Sequence, residues 1–470
     1  MTEVNLDVFR KYAGLSLPRH VSYPMPTGWQ DLDGQEAAAM HGDSRRAESP
    51  HDLSLYLHIP FCEALCKFCA CNRVIQPKAR TGAADTTESY LAALQTDIGR
   101  VAESVGTDRP LRQIHWGGGS PTYLTEEQIE KIHRSIEGAF ALSPETEIAM
   151  ELDPRGTTPS LLGTLYRLGF RRMSMGVQDF DRAVQEHIHR IQPFEMVRDV
   201  VTACRDAGFC SINFDLIYGM PYQTPDTIRD TVERTITLSP DRVAYYHYAQ
   251  IPEKIATQRG MDHTKMPDSE TKLEMFLIGA ELLEAAGYEF IGLDHFARPD
   301  EGLALAARSG TLQRNFQGMT TGAGLDLIGA GVSSISNLVD VGFIQNVKET
   351  QRYVELIEAG DSPAERGKRL TFDDQVRQAV ISQLYCGTSL QPRLIEQRFD
   401  IDFGDYFARE LGIMQELEAD GLVSVDSDGT ISVTWPLGRV LLRTVAAVFD
   451  AYLDPEAYRV GDRRSFSTNA

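Results

Sequence analysis

The chain reads as an α/β protein built on parallel strands, and three observations predict this. From Leu53 onward, short apolar runs alternate with amphipathic helical patterns through six successive units. Such alternation implies parallel strands joined by right-handed crossovers. Just past the first run stand four of the seven cysteines, Cys62, Cys66, Cys69 and Cys71. The Gly117–Gly119 loop, Glu151, Gln178 and Asp215 also fall at or beyond predicted C-terminal strand ends, where barrel chemistry sits. Periodicity alone does not separate a (βα)6 barrel from an open sheet.

Residues 1–50 read as a mostly polar, irregular N-terminal arm. Within it, Pro18-Arg19-His20-Val21-Ser22-Tyr23-Pro24 is an extended, proline-bounded segment. The six strands are expected at Leu53–His58, Gln113–Trp116, Glu147–Leu152, Arg172–Met175, Ser211–Leu216 and Arg242–His247. Capping boxes are expected at Asp85–Glu88 and Thr125–Gln128, each opening a helix. Leu91, Leu94, Ile98 and Val101 share one face of the first helix, and Ile129, Ile132, Ile136 and Phe140 one face of the second. Further helices centre on Leu161–Leu168, Met196–Cys204 and Ile228–Ile236. A helix over 268–290 leads into strand and loop elements around Phe290–Pro299 and 314–336 that extend the sheet.

The chain therefore divides into an arm (1–50), a catalytic α/β unit with its extension (51–365) and a C-terminal unit (366–470). Helices at Asp373–Leu384 and Tyr406–Leu417, then a hairpin turning at Asp426–Gly429, make that unit winged-helix-like. Phosphate contacts dominate DNA binding. The local composition is not basic enough for them, so a lid or scaffold is expected rather than a DNA reader.

The cysteines follow Cys-x3-Cys-x2-Cys, with Cys71 one residue further on. Pro60 ends the apolar run, so they lie on a loop after a strand. Three thiolates on a short loop can each bind one iron of a cubane cluster and leave the fourth iron open. The competing readings are structural zinc, disulfides or core thiols. Zinc usually takes two separated ligand pairs, and no second Cys/His pair appears. A fourth thiolate would close the open iron, so Cys71 is not expected to be a ligand. Cys204, Cys210 and Cys386 are expected to be core residues. Glu151, at a strand end, is expected to accept hydrogen bonds from a bound ribose or amine.

The cysteine loop resembles that of the radical S-adenosylmethionine (SAM) superfamily. Tyr56-x-His58-Ile59-Pro60-Phe61-Cys62 and the extra Cys71 are similar to the oxygen-independent coproporphyrinogen III oxidases. The resemblance runs from about residue 18 to 450 and is specific at His115–Gly119, Ser174–Phe180, Asp215–Gly219 and Arg314–Gly318. Ser120 and Met319 depart from it, standing where Thr and an aromatic residue are usual.

This resemblance implies an incomplete (βα)6 barrel with Cys62, Cys66 and Cys69 on a [4Fe-4S] cluster. It also implies two SAM molecules. Tyr56, Phe68, Gly118, Glu151, Gln178, Arg190, Asp215, Ala249 and Ile335 match SAM contacts, and Cys71, Gly119 and Ser120 match contacts to the second SAM. On composition alone, Phe68, Ala249 and Ile335 would be packing residues. The implied substrate is coproporphyrinogen III. Two of its propionates become vinyl groups through a 5′-deoxyadenosyl radical, giving protoporphyrinogen IX for haem synthesis. No protein side chain is assigned as catalytic beyond the cluster and SAM. The carboxylates of that substrate call for local basic groups, for which Arg19, Lys67, Arg73, Arg298 and Arg314 are the candidates, with His20 and His295 also expected to face substrate.

Two alternatives share the fold. A haem-binding chaperone typically lacks the fourth cysteine and carries His-Asn-x-x-Tyr-Trp, which Trp29, Trp116 and Trp435 do not fit. An anaerobic haem-degrading radical SAM methyltransferase shares the cysteine loop and is separated by its product.

Composition sets the remaining bounds. A formal charge of −21 disfavours nucleic acid and anionic membranes as partners. No apolar run is long enough to span a membrane, and no signal peptide opens the sequence. Clustered cysteines suit a reducing cytoplasm. A monomer served by a low-potential donor such as a flavodoxin or ferredoxin, with an unidentified electron acceptor, is expected.

Overall fold

The computed structural model describes residues 4–79 and 82–453. Its centre is a run of six parallel strands: β1 (Leu53–Ile59), β2 (Leu111–Gly118), β3 (Glu147–Leu152), β4 (Arg172–Gln178), β5 (Ser211–Tyr218) and β6 (Arg242–His247). Each pairs with the next in sequence, as right-handed βα crossovers dictate. All seven residues of β1 are buried. A parallel strand covered on both faces reads as a continuous apolar run, which is why β1 was legible.

The six do not close on themselves. β7 (Glu289–Gly292) and β8 (His295–Ala297) form a hairpin whose second arm pairs antiparallel with β6. On the other side, β9 (Asp326–Ala330) joins β1 in parallel, and β10 (Ile335–Leu338), β11 (Gly342–Asn346) and β12 (Ala364–Arg369) continue antiparallel. The whole is one thirteen-stranded sheet with the short strand Gln30–Asp31 at its edge. This is the incomplete (βα)6 barrel with its extension.

Helices α1 (Ala83–Val105), α2 (Glu126–Ala139), α3 (Pro159–Arg167), α4 (Phe194–Ala207), α5 (Pro225–Leu238) and α6 (Ser269–Ala285) form the outer layer. The Thr125–Gln128 capping box is present at α2. The box expected at Asp85–Glu88 is not. α1 starts at Ala83 after Gly82, and Asp85 lies in its first turn, where a carboxylate favours the positive end of the helix dipole.

Three further expectations are corrected. Residues 1–50 are not mostly irregular, because helices Leu6–Ala13 and Gly34–Arg45 occupy much of that stretch. Asn5 and Asp33 cap them through backbone N–H groups. The boundary at 365/366 falls inside β12, whose ladder with β11 carries the sheet to Arg369. Cys210 is exposed, not a core thiol, since it stands at the turn before β5. Cys204 and Cys386 are buried as expected.

Beyond β12, helices α7 (Phe372–Gly387), α8 (Pro392–Phe399) and α9 (Ala408–Ala419) surround a small sheet of Ser389–Leu390, Val423–Val425 and Ile431–Val433. The expected turn is there: Gly429 N–H donates to Asp426 O at 2.9 Å. The apolar core runs without a break from the barrel into this region, through Val376, Val380, Leu384 and Leu441. His20 locks the N-terminal segment to it, with Nε2 3.0 Å from Asp450 Oδ2 and Nδ1 3.2 Å from Tyr385 OH. Residues 454–470 of the expected C-terminal unit lie outside the described residues.

Candidate active site

The C-terminal ends of β1–β6 open into a cavity of about 530 Å³. Cys62, Cys66, Cys69 and Cys71 wall it on one side, with Phe68 among them. Gly118, Gly119, Ser120 and Glu151 line the floor from β2 and β3, and Gln178, Arg190 and Asp215 close it from β4 and β5.

Local chain geometry explains these positions. Gly119 carries its N–H to Ile59 O at 2.8 Å, which ties the glycine loop to the start of the cysteine loop. A Cβ there would lie 2.6 Å from Pro60 O. Gly118 has φ +114, and a Cβ on it would meet the His58 ring at 2.7 Å. Both positions therefore require glycine. His58 is structural: its Nε2 lies 2.9 Å from Asn72 O and its Nδ1 3.1 Å from Tyr56 OH, which fixes the far end of the cysteine loop.

Glu151 Oε2 accepts from Gly118 N–H at 3.2 Å, and Oε1 faces His115 Nε2 at 3.4 Å. Asp215 accepts from Asn213 Nδ2 at 2.9 Å. Burial, reinforced by the nearby Glu151 charge, pushes its carboxyl up to about 7. Arg190 donates to Gly176 O and points Nη1 at Cys66 Sγ, 3.6 Å away. Arg155 approaches the same sulfur at 3.8 Å, and both arginines share Asp153. Burial drives the Cys62 thiol up to about 12. The Cys71 thiol, hydrogen-bonded to Cys69, holds Cys69 down and is itself pushed up.

This donor set fits an iron–sulfur cluster. Three thiols on one loop face one cavity, and two guanidinium groups point at one of the sulfurs. Among the described residues, no three His, Cys, Asp or Glu side chains converge on a single ion. A lone zinc needs such convergence, whereas a cubane takes one thiolate per iron.

Not every expected residue lies on the cavity wall. Tyr56 is buried one layer below, stacked on His115 at 6.1 Å. Ala249 and Ile335 lie off the wall; Ala249 O accepts from Gln258 Nε2, and Ile335 stands in β10 opposite Gln345. Among the basic candidates, Arg73 lines the cavity, whereas Lys67, Arg19, His20 and Arg314 do not. Arg298 lies away from this cavity. β8 runs antiparallel to β6, so the residue after it returns to the opposite end of the barrel, where Arg298 N–H meets Asp241 O at 2.9 Å. Met319 is buried and also lies off the wall. Sequence reasoning missed Asp153, Arg155, Ser174 and Tyr246, all on the wall. The signal was available for Asp153 and Arg155, which directly follow the third strand.

Residues 56–235 match the family model described as the radical SAM superfamily. The chain is 41% identical over 453 residues to an oxygen-independent coproporphyrinogen III oxidase of Salmonella typhimurium, covering 96% of each. A Pseudomonas aeruginosa protein of the same name is 42% identical over 451 residues, with 95% of each chain covered. The solved coproporphyrinogen III oxidase (HemN) of Escherichia coli, described as a radical SAM enzyme, superposes with a TM-score of 0.87 at 39% identity, over 96% of this chain and 99% of that one.

Fold and site thus define a radical SAM enzyme, an oxidoreductase working with a [4Fe-4S] cluster and SAM. Within that superfamily, the chain belongs to the oxygen-independent coproporphyrinogen III oxidases.

Proposed function

We propose that this chain oxidatively decarboxylates two propionates of coproporphyrinogen III to vinyl groups, giving protoporphyrinogen IX. The observation that carries this reading is the convergence of three loop thiols, the glycine turn, Glu151, Gln178, Arg190 and Asp215 on one cavity. Near full-length similarity to oxidases of this name supports the substrate. Neither the chaperone nor the haem-degrading alternative gains support from it.

In this reading, Cys62, Cys66 and Cys69 hold the cluster. Bound there, cluster and SAM supply one-electron chemistry that produces a radical able to take hydrogen from a propionate β-carbon. The Arg155 and Arg190 N–H groups face Cys66 and soften its thiolate charge. Gly118 lets backbone approach the SAM amino-acid end, and Glu151, already fixed by the Gly118 N–H, accepts from ligand donors. Gln178, Arg190 and Asp215 complete the first SAM site, with Phe68 packing beside it. Tyr56, Ala249 and Ile335 stand behind the wall and act through the residues in front of them. Gly119, Ser120 and Cys71 contact the second SAM. Each propionate loses a hydrogen, carbon dioxide and one further electron, so two turnovers per substrate use two SAM.

No helix among the described residues is long and apolar enough to cross a membrane. We place the enzyme in the cytoplasm as a monomer, fed by a flavodoxin- or ferredoxin-type donor and drained by a separate acceptor. Equilibrium dialysis of anaerobically reconstituted protein with radiolabelled SAM tests the two-site reading. Two SAM per chain are expected, with one lost in Ser120→Tyr; a single site in the parent chain would refute it.

A further inference from the structure

Directly after β3 the chain builds a small arginine clamp. β3 ends at Leu152, and Asp153 opens a single helical turn, Pro154–Gly156. Pro154 fixes the first backbone angle of that turn. Asp153 caps it, with Oδ1 accepting from the Arg155 backbone N–H at 3.0 Å. The same carboxylate grips the Arg155 side chain. Nε lies 2.9 Å from Oδ1 and 3.1 Å from Oδ2, and Nη2 lies 2.6 Å from Oδ2. A guanidinium held along one edge by a carboxylate has a fixed plane.

That plane brings a second Nη2 hydrogen to one sulfur, Cys66 Sγ, at 3.8 Å. Arg190 Nη1 reaches the same sulfur at 3.6 Å, but it shares that nitrogen with Asp153 at 3.4 Å. Its Nε and Nη2 are engaged by Gly176 O. Among the described residues, these are the two side-chain N–H groups that hydrogen-bond a cysteine sulfur. Arg73, also on the wall, donates instead to Cys71 O at 2.7 Å and to Thr257 Oγ1 at 3.2 Å. The Arg155 side chain is 24% exposed and Cys66 7%, so their contact lies in a medium of low dielectric. Hydrogen bonds act more strongly there than in water. Asp153 offsets the Arg155 charge, so the pair acts as a dipole with its positive end on Cys66.

We propose that Arg155 is a positioning residue that raises the reduction potential of the cluster through Cys66, with Asp153 holding it in place. This rests on the reading that Cys62, Cys66 and Cys69 carry a [4Fe-4S] cluster. Reduction adds one electron from the low-potential donor, and its charge spreads over iron and sulfur. An N–H group at a ligand sulfur stabilises that added charge, so a weaker donor suffices. Arg155 itself is neither oxidised, reduced nor deprotonated in this step.

The test is a redox titration of the anaerobically reconstituted full chain, followed by electron paramagnetic resonance without SAM at one pH. A midpoint potential does not depend on how much of the protein carries cluster, so partial loading of a variant leaves it unchanged. In Arg155→Met, the ratio of reduced to oxidised cluster at the parent's midpoint should fall by about tenfold, a shift of about 59 mV to lower potential for one electron. Arg155→Lys keeps the positive charge but cannot make the fork on Asp153, so its midpoint should lie between the two. It also carries the test where Arg155→Met does not fold. Arg308→Gln, which removes an exposed partner of Glu289 elsewhere, should titrate as the parent does. A parent-like midpoint in either Arg155 variant, or a shift to higher potential, overturns the proposal. A purely structural role in the turn after β3 would lower Tm or iron content and leave the midpoint unmoved, which also overturns it. A parent chain without a reduced [4Fe-4S] signal overturns the cluster reading and this proposal with it. A signal in the parent with an unmoved midpoint in the variants overturns this proposal alone.

Discussion

The two ends of the six parallel strands handle charge in opposite ways. At the N-terminal ends, arginines are matched to carboxylates: Arg172 with Glu147, Arg242 with Glu301, Arg205 with Asp241, and Arg109 with Asp326 where β9 begins beside β1. At the C-terminal ends, four thiols, Glu151, Gln178 and Asp215 face a cavity. Asp153 is the mouth's exception, and its two arginines also reach Cys66. The closed end pairs these charges within the protein. The open end keeps polar groups whose partners are ligands.

The largest effect that would sharpen this contrast is at the mouth. Cys66→Ser should lose cluster iron and reductive SAM cleavage to background while its Tm stays close to the parent value. Iron analysis, 5′-deoxyadenosine release and calorimetry on one preparation check this. A large drop in Tm would mean that the mouth carries structure as well.

Next comes Arg109→Met at the closed end. Asp326 is fully buried, accepts from Arg109 and Ser44, and would be left with an unpaired charge. The expected cost is about 3–5 kcal/mol, read from denaturant unfolding, with kcat retained. Loss of kcat at unchanged stability would break the comparison.

A smaller effect follows from Asp215. Its carboxyl is raised from 3.8 to about 7, so the folded chain keeps a proton there that the unfolded chain has lost. That contribution to stability is full below pH 3.8 and fades as pH rises through about 7. In the proposed role the ionised form binds SAM, so affinity should fall by up to about tenfold per pH unit below this value. Asp215→Asn should flatten both profiles.

The smallest effects are at the closed end's surface. Arg298→Gln should leave substrate KM within about twofold of the parent, and Cys210→Ala should change stability by less than about 0.5 kcal/mol.

Local signals made much of the fold legible. β1 announced itself as an apolar run stopped by Pro60, Thr125 and Gln128 marked the start of α2, and Asp426–Gly429 marked a hairpin. The cysteine spacing and strand-end positions placed most of the site. What escaped depends on long-range geometry. Nothing near Asp326 says that β9 will pair with β1, nearly three hundred residues earlier in the chain. The place of Arg298, away from the cavity, follows from the β7–β8 hairpin, which reverses the chain before it. Tyr56 was assigned by resemblance, and the structure buries it beside His58 and His115, off the cavity wall. The helices Leu6–Ala13 and Gly34–Arg45 were hidden by their polar composition.

The most direct measurement is an anaerobic assay of cluster-reconstituted protein with coproporphyrinogen III, SAM, a strong reductant and an electron acceptor. Protoporphyrinogen IX and 5′-deoxyadenosine should appear together, and both should vanish in Cys66→Ser. Deoxyadenosine without protoporphyrinogen would contradict the assigned substrate while leaving the radical chemistry of the mouth in place.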